Sequence, residues 1–103
     1  MKQIERIKQM EQWMDTASEA VKELEVALDK FAAAQEAIAV LSEYYGSEDW
    51  LQDFNDDEEG RLPKNLKRGV LSEDGIWNLL TECRELNVRM SKMVTEVLKR
   101  QAI

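Results

Sequence analysis

The sequence predicts an all-α protein: a long N-terminal helix, an ordered connector with one or two short helices, and a long C-terminal helix. Three observations lead there. All four glycines (Gly46, Gly60, Gly69, Gly75) and the only proline, Pro63, lie between residues 46 and 75, so neither flank contains a helix breaker. Apolar residues in both flanks recur at alternating steps of three and four, the stripe of an amphipathic helix. The composition, 44% apolar and 34% charged, suits a soluble helical chain and is too apolar for a disordered one. At 103 residues the chain reads as a single domain, 1–103, with a first arm over 2–45, a connector over 46–71 and a second arm over 72–101.

The first arm follows a heptad frame. One row is Ile7, Met14, Val21 and Leu28; the other is Met10, Ala17, Leu24, Phe31, Ile38 and Tyr45. Gln35 and Ser42 interrupt the first row. Ala20, Ala27, Ala34 and Leu41 flank the stripe on one side, with Ala32 and Ala39 on the other. A two-stranded coiled coil places Glu and Lys at such flanks; small apolar flanks widen the face and point to a bundle. The second arm is expected to start at Ser72, an N-cap followed by Glu73 and Asp74, acids that suit the positive end of the helix dipole. Its stripe runs through Ile76, Leu79, Leu80, Cys83, Leu86, Met90, Met93, Val94 and Val97. Glu85 with Arg89 and Glu96 with Arg100 form favourable i,i+4 pairs.

A continuous first arm is about 65 Å long and the second about 42 Å, at ~1.5 Å per residue. Part of the first stripe therefore lacks a partner in the second arm. A break in the first helix, a connector folded back over it, or a second chain would cover that surface. The expectation is a helical hairpin or bundle completed by homodimerisation.

Within the connector, Gly46 should end the first helix in a left-handed cap. Ser47 should cap a short helix with Glu48 and Asp49 in its first turn and Trp50, Leu51 and Phe54 as its apolar face. Asn55 to Gly60 reads as a polar turn, and Lys64 to Arg68 as a single turn closed by Gly69. Val70 and Leu71 lead into Ser72 as a hydrophobic staple. Trp50/Phe54 and Val70/Leu71 are two apolar anchors for packing on the arms.

Charge is concentrated in the connector. Residues 43–59 hold eight acids and no base, against a net charge of −7 for the whole chain. General affinity for nucleic acid is not expected, since phosphate binding needs surplus positive charge. The basic residues Arg61, Lys64, Lys67 and Arg68 follow the acidic run directly, so internal pairing is the simplest account of them.

Catalytic chemistry is hard to place. There is no histidine, which removes Ser-His, Cys-His and His-metal sites. The single cysteine, Cys83, excludes an internal disulfide and stands on an apolar stripe, as a small core residue would. Asp53, Asn55, Asp57 and Glu59 alternate like the start of a calcium loop, but the sixth and twelfth places from Asp53 hold Glu58 and Lys64 where an EF-hand needs Gly and Glu. No catalytic, cofactor-binding or metal-ligating residue is assigned, and no cofactor is expected. No apolar run is long enough to span a membrane, and the first ten residues lack a signal-peptide core; the expected location is the cytoplasm.

The strings Tyr44-Tyr45-Gly46-Ser47-Glu48-Asp49-Trp50, Gly60-Arg61-Leu62-Pro63 and Leu66-Lys67-Arg68-Gly69-Val70-Leu71-Ser72-Glu73-Asp74 resemble a family of short bacterial all-helical proteins catalogued only as a domain of unknown function. The resemblance covers nearly the whole chain and is specific in the connector. It implies an all-helical bacterial protein and transfers no active site. A polar residue, often Asn, stands in that family where this chain has Cys83, which implies no family role for the thiol.

The leading functional expectation is a non-enzymatic protein–protein interaction module, homodimeric through its arms. Its candidate interaction surface is Trp50, Asp53, Asp56, Asp57, Glu58 and Glu59, offered to an unidentified protein partner. One alternative is an acidic inhibitor mimicking nucleic acid on a nucleic-acid-binding protein. Another is a small-molecule or divalent-metal-binding bundle, with Gln35, Ser42 and Asn87 as inward polar groups. Trp13 and Trp77 fall beside the stripes, where one of them could serve an interface.

Overall fold

The computed structural model describes residues 2–101. It is 83% helical and has no strand among the described residues. The elements are α1 (Lys2–Tyr44), α2 (Glu48–Glu58), a 3-10 turn (Gly69–Leu71) and α3 (Gly75–Arg100). None of the helices is long and apolar enough to cross a membrane. By internal contacts the residues divide into two units, Met1–Ala37 and Ile38–Ile103.

The first unit is helix alone. α1 runs 43 residues without interruption, as the absence of Gly and Pro allows. A break in the first arm is therefore not how its stripe is covered. No residue of α1 is buried. Ile7, Met10, Met14, Val21, Leu24 and Leu28 are each between 46% and 64% exposed. The surface is less cleanly amphipathic than the heptad rows suggest, because Val26 and Val40 stand exposed off the stripe.

The second unit is organised around the 3-10 turn, against which both α2 and α3 pack. Its core is small: Leu71 from that turn with Ile76 and Cys83 from α3. The chain enters through Gly46, whose φ of +82° is the left-handed cap expected of it. Ser47 then caps α2, its Oγ accepting from the Trp50 N–H at 3.1 Å.

Three local expectations need correction. Asn55 to Glu58 are not a turn but the last turn of α2, which Glu59 caps before the chain turns at Gly60 with φ +73°. Acids there oppose the negative end of the helix dipole. The offset is supplied from outside the helix: Arg61 bridges Asp56 and Glu59, and Arg68 pairs with Asp57. Gly69 does not close a turn over Lys64 to Arg68. A tighter turn joins Pro63 to Leu66, whose N–H donates to the Pro63 carbonyl at 3.2 Å, and Gly69 opens the 3-10 turn. The α-helix of the second arm begins at Gly75, three residues after Ser72. Its N-cap is Asp74, whose side chain makes no capping bond, and not Ser72 as expected. Ser72 Oγ nevertheless accepts from the Gly75 N–H at 3.0 Å while donating to the Gly69 carbonyl at 2.8 Å. One hydroxyl thus fastens the 3-10 turn to the start of α3.

Candidate functional site

The connector residues singled out in the sequence come together around α2. Trp50 is the hinge-pin of the arrangement. Its ring stacks on Phe54 with centroids 5.2 Å apart and meets the edge of Tyr45 at 5.1 Å. Its indole Nε1–H donates to the Val70 carbonyl at 2.9 Å, twenty residues along the chain. Tyr45 reaches further and donates its hydroxyl to the Glu73 carbonyl at 3.2 Å. Both expected anchors are thereby tied to each other, and Leu71 beside Val70 is 6% exposed.

The acids divide into two groups. Asp53, Asp56, Asp57 and Glu59 are engaged internally. Asp53 accepts from the Tyr44 hydroxyl at 2.6 Å, and Asp56 receives Arg61 Nη1 at 3.0 Å. Arg61 also pairs with Glu59. Arg68 Nε lies 3.3 Å from Asp57 Oδ1, an ion pair without hydrogen-bond alignment, while its Nη2 donates to the Pro63 carbonyl. Glu48, Asp49 and Glu58 form the second group, exposed and without an ion pair among the described residues. Leu51, 50% exposed, stands between them on α2. Pairing of Arg61 and Arg68 with the acidic run follows the sequence reading; Lys64 and Lys67 are exposed.

The Tyr44–Asp53 bond was not legible in the sequence. Its partners sit on opposite sides of the Gly46 cap, and no spacing rule links them. Burial, then the hydrogen bond to Asp53 and the charges of Asp53 and Asp49, push the Tyr44 phenol up from 10.0 to about 12.

The inward polar groups of a ligand-binding bundle do not materialise. Gln35, Ser42 and Asn87 are all exposed. Gln35 donates back to the Phe31 carbonyl, and Asn87 lies 3.7 Å from the sulfur of the buried Cys83. The described residues do contain an open apolar depression of about 390 Å³ lined by Leu41, Lys67, Gly69, Val70, Ile76 and Leu79, with Gly75 beneath. No three His, Cys, Asp or Glu side chains among the described residues converge as metal ligands.

A family model described as a domain of unknown function, DUF4298, matches residues 7–93. The chain belongs to the DUF4298 family. That span contains the whole clasp: the Gly46 cap, α2, the 3-10 turn and the start of α3. No curated protein and no solved structure matches the chain.

Within this DUF4298 chain the Tyr44 phenol offers a spectroscopic handle on the clasp. Its pKa is higher folded than unfolded, so the folded state holds the proton more tightly. The resulting stabilisation is complete below pH 10.0 and is lost as pH rises through about 12. Ultraviolet titration of a Tyr45→Phe variant, which leaves Tyr44 as the only tyrosine, is expected to give a midpoint near 12. Adding Asp53→Asn should bring the midpoint part of the way back, since burial remains. A midpoint at the ordinary tyrosine value before that change would mean the Tyr44–Asp53 bond does not form.

Proposed function

We propose that this chain is a non-enzymatic helical interaction protein of the bacterial cytoplasm, self-associating through α1 and offering the outer face of α2 to a basic protein surface. The observation that carries the reading is the division of the α2 acids. Asp53, Asp56, Asp57 and the C-cap Glu59 hold the clasp together, whereas Glu48, Asp49 and Glu58 are exposed without an ion pair among the described residues. Glu48, Leu51, Asn55 and Glu58 share one helix face at steps of three and four. An exposed apolar side chain with an unpaired carboxylate at either end of its helix face has the make-up of a small docking patch. Trp50 supports this patch from behind rather than touching a partner, since its indole N–H is committed to Val70. Self-association is supported by the α1 stripe, whose six large apolar side chains from Ile7 to Leu28 are all exposed. Mimicry of nucleic acid is less favoured, because Arg61 and Arg68 interrupt the continuous negative surface it would need.

The division of the acids also dictates the test. Glu48→Gln, Asp49→Asn and Glu58→Gln together neutralise the outer patch and leave every recorded ion pair in place. Neutralising Asp56 and Asp57 instead would dismantle the clasp. Affinity capture should lose any partner held by the outer patch in the triple variant and retain it in wild type. Unchanged capture, with circular dichroism confirming the fold, would remove the patch from the account.

A further inference from the structure

We infer that the occupant of the α1 stripe is a second copy of this chain lying antiparallel to the first; this rests on the self-association proposed above and goes on to assign its direction. The first observation is charge. Residues 2–8 carry Lys2, Arg6 and Lys8 against the single acid Glu5, whereas residues 9–37 carry seven acids against Lys22 and Lys30. α1 is thus a helix with a basic head and an acidic body. In a parallel pair the two basic heads meet, along with the two positive dipole ends, and the acidic bodies run side by side. Those charges lie well inside a Debye length of about 10 Å. Reversing one helix sets each basic head against the acidic later turns of its neighbour, near Glu23, Glu25, Asp29 and Glu36.

The second observation is side-chain size. In a parallel pair in register each residue of a heptad row meets its own copy. Ala17 would then face Ala17 and leave a void, while Phe31 would face Phe31 and crowd the seam. Antiparallel packing exchanges the rows, so residues of the Met10–Ala17–Leu24–Phe31 row meet those of the Ile7–Met14–Val21–Leu28 row. Ala17 then meets Met14, Val21 or Leu28 in each register that keeps the stripes overlapped, and the void is filled. The flanking alanines at 20, 27 and 34 admit the bulk of Trp13, which is 60% exposed on the same side of the stripe. Charge and volume therefore favour the same direction.

Pulsed electron spin resonance on single spin labels distinguishes the alternatives without assuming a register. Glu5, Glu19 and Ala33 follow one another at steps of fourteen residues on the side of α1 away from the stripe, and all are exposed. Each is replaced by cysteine in turn, on a Cys83→Ala background, and the distance between the labels of two copies is measured. The antiparallel pair should give distances that are not all equal, shortest near the crossing point and lengthening by about 3 Å for each residue away from it, twice the helical rise. Three equal distances would overturn the orientation while leaving self-association intact. Labels that show no second copy at high micromolar concentration, matched by a monomer mass in light scattering of the unlabelled wild type, would overturn both. A loss of the outer α2 patch in the capture experiment would touch neither.

Discussion

Ile76→Ala should destabilise residues 38–103 by about 2–5 kcal/mol, the range for truncating a well-buried isoleucine. Ile76 is 3% exposed, the most buried side chain described, and its only buried companions among the described residues are Leu71 and Cys83. A core of three residues has no reserve. Domains of this size have total stabilities of roughly 5–15 kcal/mol, so losing a few of them changes the folded fraction by orders of magnitude. Collapse into the space left by Ile76 is restricted because Ser72 and Gly75 fix the backbone on one side of it through three linked hydrogen bonds. Urea unfolding followed by near-ultraviolet circular dichroism reads the change. Helicity measured in the far ultraviolet should fall less, since α1 buries no residue and does not owe its form to Ile76. A loss below about 1 kcal/mol would show that the site relaxes and that Leu71 and Cys83 carry the unit without it.

Gly75→Ala should also destabilise, although helix propensity argues the other way. At an exposed helical position alanine is better than glycine by about 1 kcal/mol. Here, however, a β-carbon would stand 2.5 Å from both the Gly69 carbonyl oxygen and Ser72 Oγ. The Gly69 oxygen accepts from the Ser72 hydroxyl and from the Ser72 N–H, and Ser72 Oγ accepts from the Gly75 N–H. Both oxygens must move, which strains all three hydrogen bonds, each contributing about 0.5–1.5 kcal/mol. That exceeds the propensity gain, and a net loss of about 1–3 kcal/mol is expected. Gly69→Ala is the control: an added β-carbon at Gly69 meets nothing within 4 Å and its φ is not positive. Thermal unfolding of both variants decides the matter, and a Gly75→Ala chain as stable as wild type would mean the 3-10 turn is not clamped to α3.

Much of the architecture is legible because it is local. Long runs without Gly or Pro, combined with apolar steps of three and four, specify helices whose ends are set by Gly46 and Ser47. What escaped is non-local. The acids of 56–59 look like a turn because they are unfavourable at a helix C-terminus, and they become helical through Arg61 and Arg68, whose side chains return to them. The clamp at Gly75 depends on a carbonyl six residues earlier, and the Tyr44–Asp53 bond on the angle of the Gly46 cap. The candidate surface shows the same split. Five of the six residues chosen for it lie on α2 and Glu59 is its C-cap, but only the folded chain separates Asp53, Asp56, Asp57 and Glu59, which hold the clasp, from the exposed Glu58. Glu48 and Asp49 are exposed with it. The sequence places both in the first turn of that helix, which does not say which side they expose.

Sequence alone determined the all-α class, the helix-ending glycine at 46 and the capping serine at 47, while the continuity of the first helix was left open until the fold showed it. Each follows from backbone freedom and hydrogen bonding within a few residues. Tertiary structure decided which acids are paired and which stay exposed, why Gly75 must lack a side chain, and that Trp50 fastens the clasp to Val70. Those depend on groups up to twenty residues apart being brought within hydrogen-bond reach, a condition that packing imposes and spacing does not encode.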